Sequence, residues 1–252
     1  MIQHRSVSPI WFFDLDNTLH DASHRVFPAI NSNMNGFIAD VLGEGGAPAD
    51  AARVNAARIG YLRRYGATLL GMVRHHQVRP ADFLEAAHRF DNLPAMLRAE
   101  RGLDALLARL PGQKILLTNA PLRYSTDVLR HFGLQHHFTH HIAIESMRVH
   151  GRLQPKPSKA LLRKLIARHG GNARRCVLVE DTLANLKAAK SLGMRTVWMT
   201  GYLRAAVSGQ GGPAPAAGNA ADVAKTRKRP PCVDVKVQSL KQLFDSLSRL
   251  MR

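Results

Sequence analysis

The sequence predicts an α/β fold, a doubly wound parallel β-sheet with a block of helices inserted after its first strand. Four continuous apolar segments have the length of strands that are buried on both faces of a parallel sheet. Helical patterns lie between them, and this alternation of strand and helix is typical of doubly wound folds. The stretch 20–99 differs, because it carries long helical patterns and no convincing strand.

The first strand segment, 10–15, reads Ile-Trp-Phe-Phe-Asp-Leu and ends among acidic residues. Three more strong segments follow at 114–119, 176–181 and 195–200, and a weaker segment lies at 141–145. Helices are predicted between these strands at 124–132, 158–169 and 182–192. Ligands of such sheets bind beyond the carboxyl ends of the strands, so the polar residues that follow the strands form the candidate site.

The helical block is predicted to form a cap domain over the strand ends. Its helices are expected at 28–42, 49–64, 69–76 and 80–90. Asn92-Leu93-Pro94 breaks the pattern, and a further helix, 95–110, is expected to lead into the second strand. We therefore assign 20–99 to the cap, and 1–19 together with 100–252 to the core domain.

The composition changes near the end of the chain. Between 205 and 224, 14 of 20 residues are Ala, Gly or Pro, so 205–231 is predicted to be a flexible linker within the core domain. Beyond it, 233–237 alternates like an edge strand, and 239–251 carries Leu and Phe at helical spacing. The tail is therefore expected to pack back on the core.

The charge of the chain is strongly positive. Its 252 residues include 36 Lys and Arg against 18 Asp and Glu, a net charge of +18. Such a charge would suit a nucleic-acid-binding protein, but the arginines are scattered and the one basic cluster is 225–229. We therefore favour the interpretation that the arginines solvate helix faces over the interpretation that the chain binds nucleic acid. The positive electrostatic field of the protein would in either case attract small phosphorylated anions.

Composition also bears on location. No apolar run approaches the roughly 18 residues that a membrane span requires, so no membrane partner is expected. The two cysteines, Cys176 and Cys232, cannot form a disulfide framework. A reducing cytoplasm fits both observations.

The acidic residues Asp14 and Asp16 end the first strand segment, in Asp14-Leu15-Asp16-Asn17-Thr18. Residues i and i+2 of a strand point to the same side, so both carboxylates are expected to face one space while Leu15 points to the core. Two close carboxylates are costly unless a cation lies with them or one is protonated, and Mg²⁺ prefers such ligands. The alternative is a solvated strand end with Asp16 in an Asx turn.

Three further motifs follow later segments, and each has a plain structural alternative. Thr118 and Asn119 could hold a phosphoryl oxygen or cap the next helix. Lys156, stiffened by a proline on either side, could be a fixed charge for phosphate or a surface lysine before a helix. Glu180 and Asp181 could complete a magnesium site or cap the helix that follows.

In this order and spacing, the four motifs resemble those of the haloacid dehalogenase (HAD) superfamily phosphatases, over most of 10–200. The insert after the first motif resembles the helical C1 cap of that family. The resemblance implies Asp14 as a nucleophile that forms an aspartyl-phosphate, and Asp16 as general acid and base. It also implies that Thr118, Asn119 and Lys156 bind the phosphate. It implies a Mg²⁺ cofactor as well, bound by Asp14, the Asp16 carbonyl, Asp181 and, directly or through water, Glu180.

A narrower resemblance involves the segments 12–20 and 61–72, which are similar to the pyrimidine 5′-nucleotidase subgroup. It implies a pyrimidine nucleoside 5′-monophosphate as substrate. By their own chemistry, Tyr65 could stack on the base and Arg64 could bond to a carbonyl oxygen of the ring. On pattern alone, packing of the cap's own core and solvation of its arginines explain the same residues equally well.

Other activities compete with this interpretation. A HAD phosphatase could act on a sugar phosphate or phosphoglycolate, and a phosphomutase would share the same motifs. A haloacid dehalogenase would use the nucleophile Asp14 but has no use for Asp16, which argues against that activity.

Five histidines crowd the stretch 131–141. Zinc binding is conceivable there, but neither cysteines nor a His-Glu-x-x-His pattern accompanies them. A solvated loop is the favoured interpretation.

Overall fold

The computed structural model describes residues 8–203 and 229–250 and confirms the predicted α/β fold around a parallel sheet. The strands are β1 (Ile10–Phe13), β2 (Gln113–Leu117), β3 (His140–Ile142), β4 (Arg148–Val149), β5 (Arg152–Leu153), β6 (Cys176–Glu180), β7 (Arg195–Met199) and β8 (Val235–Val237). Six of them form the sheet in the order β3-β2-β1-β6-β7-β8, and every neighbouring pair is parallel. A small antiparallel ribbon of β4 and β5 was not predicted.

Strand β1 occupies the centre of the sheet because its four residues, Ile-Trp-Phe-Phe, are apolar and can be buried on both faces. The chain leaves β1 towards β2 and β3 on one side, and later returns to β6, β7 and β8 on the other. The strand order therefore reverses between β1 and β6, and this switch point is where doubly wound sheets bind ligands.

Between β1 and the 3-10 turn at Pro94–Met96 the chain forms four helices, α1 (Val26–Leu42), α2 (Ala51–Tyr65), α3 (Thr68–His76) and α4 (Pro80–Ala87). They share a small apolar core of their own, built around Ile38, Met72 and Phe83 and including Ile144 from the sheet domain. Asp50 caps α2 by accepting a hydrogen bond from the Arg53 amide. The division into a cap over 20–99 and a core over the rest stays a prediction.

The remaining helices cover the two faces of the sheet. They are α5 (Leu103–Arg109), α6 (Leu122–His131), α7 (Lys159–Leu165), α8 (Leu183–Lys190), α9 (Leu240–Asp245) and α10 (Leu247–Leu250). Helices α5, α6, α9 and α10 pack on the face that holds Trp11 and Phe13, whereas α7 and α8 pack on the face that holds Ile10 and Phe12. The predicted return of the tail to the core is confirmed, and β8 is the edge strand.

The prediction of one helix over 95–110 is wrong in its first half. A single 3-10 turn covers Pro94–Met96, and α5 begins only at Leu103. Gly102 has a φ of 74°, in the left-handed region, and interrupts the helix. The weak strand predicted at 141–145 is β3, which is followed by a 3-10 turn at Ile144–Ser146. The linker predicted at 205–231 lies almost entirely outside the described residues, as does the basic cluster 225–229 apart from Arg229.

Gly71 in α3 lies directly against Tyr61 in α2, and a Cβ on Gly71 would lie 2.1 Å from Tyr61 Cγ. We expect Gly71→Ala to force the two helices apart and to lower the free energy of unfolding by about 1–3 kcal/mol. Gly60→Ala is the matched control, because no atom lies within 4 Å of its Cβ position in α2. It should raise stability by up to about 1 kcal/mol. Chemical denaturation measures both, and equal stabilities would contradict the close α2–α3 contact.

Within residues 8–203 and 229–250, no helix combines the length and the apolar character needed to cross a membrane.

Candidate active site

A cavity of about 570 Å³ lies at the carboxyl ends of β1, β2 and β6, where the strand order reverses. The structure brings together in its wall the seven predicted residues of the four motifs, which are Asp14, Asp16, Thr118, Asn119, Lys156, Glu180 and Asp181. The side chains that close the cavity from the helical insert are Phe27, Ile30, Leu62, Arg63 and His88. The cavity therefore has an acidic floor and a largely apolar roof.

Lys156 is buried at the centre of the floor. Its Nζ lies 2.7 Å from Asp14 Oδ1 and 2.7 Å from Glu180 Oε2. Burial alone would lower the pKa of Lys156, but the two carboxylates outweigh it and raise the pKa above its usual value. Lys156 is therefore a fixed positive charge in contact with two acids, and the alternative of a surface lysine is excluded.

Asp14 follows β1 directly, and its amide donates to the carbonyl of Val179 in β6 at 3.0 Å. One carboxylate oxygen contacts Lys156, and the other accepts a hydrogen bond from Thr18 Oγ1 at 3.0 Å. Both oxygens of Asp14 are thus held in place at the edge of the cavity. Such fixed orientation is what a nucleophile needs to attack along one direction.

Three buried carboxylates, those of Asp14, Glu180 and Asp181, converge on one point, with oxygens within 4.8 Å of one another. Burial and the charge of Glu180 raise the pKa of Asp14 to about 7, although Lys156 opposes this shift. Burial, followed by the charges of Glu180 and Asp14, raises the pKa of Asp181 well above its usual range. The negative charge of the three acids therefore exceeds the positive charge that Lys156 supplies.

This donor set fits a magnesium ion. Magnesium prefers oxygen ligands from one or two carboxylates and completes its shell with water and substrate phosphate. A divalent cation at this point would also neutralise the repulsion that raises the pKa values of Asp14 and Asp181. Asp14, Asp181 and Glu180 are the residues that could hold it, and the Asp16 carboxylate lies outside the three-acid cluster.

Asp16 has different surroundings from Asp14. Its Oδ1 accepts a hydrogen bond from the Tyr124 hydroxyl at 2.6 Å and lies 2.8 Å from His20 Nε2. Burial would raise the pKa of Asp16, but the hydrogen bonds and charge of its neighbours outweigh burial and lower it. The two acids of the first motif therefore differ in environment, which allows them to have different roles.

Thr118 and Asn119 follow β2. Thr118 Oγ1 accepts a hydrogen bond from the Ala120 amide at 3.1 Å, so its own hydrogen can be donated into the cavity. The Asn119 side chain instead binds the backbone of Lys156 twice, through Nδ2 and Oδ1, each at 3.0 Å. Asn119 thus positions the backbone of Lys156.

The two residues predicted to contact substrate from the cap are placed elsewhere. Among the described residues that line the cavity, α2 contributes Leu62 and Arg63, and neither Arg64 nor Tyr65 is present. The Tyr65 hydroxyl lies 2.6 Å from His75 Nε2, and the Arg64 guanidinium lies over the Tyr65 ring. Arg63 is the cap arginine that reaches the cavity.

Sequence reasoning missed three residues. His20 and Tyr124 contact the Asp16 carboxylate, and His88 lies in the roof of the cavity. His20 is fully buried, and its Nδ1 has no hydrogen-bond partner among the described residues. His88 is bonded through Nδ1 to the carbonyl of Leu84, and burial lowers its pKa. Only the spacing of His20, four residues after Asp16, was a signal in the sequence.

Comparisons with known proteins identify the family and the fold. Residues 10–193 match the hydrolase family described as haloacid dehalogenase-like hydrolase. A HAD phosphatase from Thermococcus onnurineus has a similar structure, with 18% identity and a TM-score of 0.58 over 98% of this chain and 100% of that one. A 2-haloacid dehalogenase from Pseudomonas syringae pv. Tomato DC3000 is also similar, with 19% identity and a TM-score of 0.54 over 96% of this chain and 99% of that one. At these identities the two structures share the fold.

Proposed function

The chain belongs to the haloacid dehalogenase-like hydrolase family, and from this premise we propose that it is a magnesium-dependent phosphomonoester hydrolase. The observation that carries the proposal is the pair of acids in the first motif. Asp14 faces Lys156 and the carboxylate cluster, while Asp16 is held beside it by Tyr124 and His20. A nucleophile and a separate proton carrier are what hydrolysis of a phosphate ester requires.

In the first step, an Asp14 oxygen attacks phosphorus, and the bond from phosphorus to the ester oxygen breaks. Asp16 gives a proton to the departing oxygen, so the product leaves as an alcohol. Asp16 must carry a proton for this step, and the arriving phosphate dianion favours that form because like charges repel. In the second step, water attacks the aspartyl-phosphate, Asp16 takes the proton of the water, and Asp14 is released.

The remaining residues stabilise charge. In this proposal Lys156 and Thr118 hold phosphoryl oxygens. Asn119 supports it by binding the backbone of Lys156, and the Ala120 amide by donating to Thr118 Oγ1. Asp14, Asp181 and Glu180 would hold the metal. Magnesium, when bound, supplies positive charge that offsets repulsion between the phosphate and the acidic floor.

A haloacid dehalogenase is the competing activity, since a solved dehalogenase shares the fold. That reaction displaces a halide ion, which needs no proton from the enzyme. The Tyr124–Asp16–His20 contacts and the three-acid cluster then have no purpose. The site therefore supports a phosphatase better.

Metal dependence is the direct test of the carboxylate cluster. After dialysis against EDTA, hydrolysis of p-nitrophenyl phosphate should fall by at least about 100-fold, because several kcal/mol of charge stabilisation are lost. Added Mg²⁺ should restore the rate. Asp181→Asn should need more Mg²⁺ for half-maximal activity, while Asp234→Asn, an acid paired with Lys190 away from the cavity, should not. Full activity in the chelator would refute the metal-dependent mechanism.

For the leaving group we propose a pyrimidine nucleoside 5′-monophosphate. A cavity of about 570 Å³ has the size of a small-ligand site. The apolar side chains of Phe27, Ile30 and Leu62 suit the flat faces of a base and sugar, and Arg63 can donate to the carbonyl oxygens that pyrimidines present. The resemblance of 61–72 to pyrimidine 5′-nucleotidases supports the same assignment.

We expect UMP and CMP to be hydrolysed with a higher kcat/KM than AMP and GMP, because discrimination is a ratio of kcat/KM values. Arg63→Ala should lower kcat/KM for UMP by about tenfold to 100-fold, the cost of one charge-assisted hydrogen bond. Arg64→Ala is the matched control and should change it less than about threefold. A ratio of kcat/KM near one across the nucleotides would refute the nucleotide as substrate, and so would faster hydrolysis of a sugar phosphate or phosphoglycolate. Either result would leave the assignment as a phosphatase standing.

A further inference from the structure

A second cluster of metal-binding groups lies outside the active-site cavity. It consists of Asp104 in the first turn of α5, and of His136 and His137 in the 3-10 turn Gln135–His137 that precedes β3. None of the three residues lines the catalytic cavity. The two parts of the cluster are more than thirty residues apart in sequence and are brought together by the fold.

The side chains converge on one point. His137 Nε2 lies 2.8 Å from Asp104 Oδ1, and His136 Nε2 lies 3.4 Å from the same oxygen. The two imidazole centroids are 4.0 Å apart, and the three potential ligand atoms all lie within 4.8 Å of one another. Zinc–ligand bonds of about 2.0–2.1 Å place the ligands of a tetrahedral site about 3.3 Å apart. The observed spacings bracket that value, so small side-chain movements suffice to bind an ion.

The three groups also differ usefully in exposure. The His137 side chain is only 7% exposed, so its ring is held in place by the fold, whereas His136 is 66% exposed and Asp104 is 59% exposed. Because His136 and Asp104 are exposed, an ion can reach them from solvent and then contact the buried His137. Water can fill the remaining position.

The chemistry of the donors selects the metal. Two imidazole nitrogens and one carboxylate oxygen are ligands that zinc accepts readily, whereas magnesium prefers oxygens alone. The catalytic cluster is the opposite case, with three carboxylates and no imidazole nitrogen in the set. The two clusters thus offer donor sets suited to different metals.

We propose that Asp104, His136 and His137 bind a zinc ion. The ion links the start of α5 to the turn before β3 and leaves a coordination position open to water. The structure places the stretch 131–141, expected as a solvated loop, in the end of α6, a 3-10 turn and the start of β3. Only two of its five histidines belong to the proposed site.

The test is isothermal titration of Zn²⁺ into the untagged full-length chain, with Mg²⁺ in excess to occupy the catalytic acids. We expect one zinc per chain, bound at least about tenfold more weakly by His136→Ala, His137→Ala and Asp104→Asn. His131→Ala is the matched control, an exposed histidine of the same stretch that packs on Phe132. It should bind zinc like the parent protein.

A check of folding and one further variant keep the outcome decisive. His136 is exposed, so His136→Ala should fold normally even if His137→Ala does not, and circular dichroism checks both. Asp181→Asn weakens the catalytic cluster and should leave zinc binding unchanged. Zinc should also raise the Tm of the parent more than that of His136→Ala, because an ion that binds only the folded state stabilises it. Equal zinc affinity in the parent and in His136→Ala, or zinc binding that is lost in Asp181→Asn instead, would overturn the proposal.

Discussion

Asp14→Asn should lose at least about 10⁴-fold in kcat and form no phosphoenzyme, because the variant has no carboxylate to attack phosphorus. That loss corresponds to about 5.5 kcal/mol of transition-state stabilisation. The amide keeps the size of the side chain and an oxygen that can accept from Lys156 or Thr18. The measurement is steady-state hydrolysis of p-nitrophenyl phosphate together with acid trapping of phosphate label on the protein.

The thermal stability of Asp14→Asn is the control for its loss of activity. The pKa of Asp14 is raised to about 7 in the metal-free protein, against 3.8 for an ordinary aspartate. Its ionisation therefore costs stability progressively as pH rises from about 4, and the cost is complete above about 7. The amide of Asp14→Asn cannot ionise, so without metal at about pH 8 the variant should unfold at a temperature no lower than the parent. A Tm below that of the parent would indicate that the substitution damages the fold. Phosphoenzyme formed by a folded variant would refute the assignment of Asp14 as the nucleophile.

Asp16→Asn should fail in a different way, because the nucleophile remains and the proton carrier is lost. With alkyl phosphates, whose leaving group needs a proton, we expect a loss of about 10³-fold, within the usual range for general acid–base catalysis. With p-nitrophenyl phosphate the first step should slow by less than about tenfold, since p-nitrophenolate leaves without a proton. Rapid-quench kinetics should then show a burst and accumulated phosphoenzyme, because the second step still lacks its base.

Tyr124→Phe is the matched variant for Asp16, since it removes one hydrogen bond to Asp16 Oδ1 and keeps the carboxylate. It should lower kcat by about tenfold with either substrate type, which is the effect of losing one hydrogen bond to a charged group. Equal slowing of the first step with alkyl and p-nitrophenyl phosphates in Asp16→Asn would contradict a proton-carrying role for Asp16.

Much of this fold could be predicted from the sequence because its strands are short, continuous apolar segments. The apolar run in β1 and the acids that follow it are local features, and so are Glu180 and Asp181 at the end of β6. Parallel strands bring such ends to one edge of a sheet, which is why the motifs after β1, β2 and β6 could be expected to meet. Lys156 instead follows the β4–β5 ribbon and contacts Asp14 from there.

The contacts that could not be predicted join distant segments. Tyr124 reaches Asp16 across 108 residues, and Asp104 meets His136 and His137 through the packing of α5. The error at Arg64 has a rotational cause, since neighbouring residues on a helix differ by about 100° and a one-residue shift changes which side chain faces the cavity. The break before α5 depends on the backbone of Gly102, which a helical pattern does not reveal.

The central place of β1 has a consequence for the growing polypeptide on the ribosome. β1 pairs with β2 on one side and β6 on the other, yet β6 begins only at Cys176. At about 5–20 residues per second, the roughly 160 residues between β1 and β6 take about 8–30 s to synthesise. Throughout that interval an edge of Ile-Trp-Phe-Phe has no partner, and unpaired apolar edges are where chains associate wrongly. The catalytic floor is completed by the same late strand that covers this edge, so the nascent chain gains its chemistry and its protection from aggregation in one event.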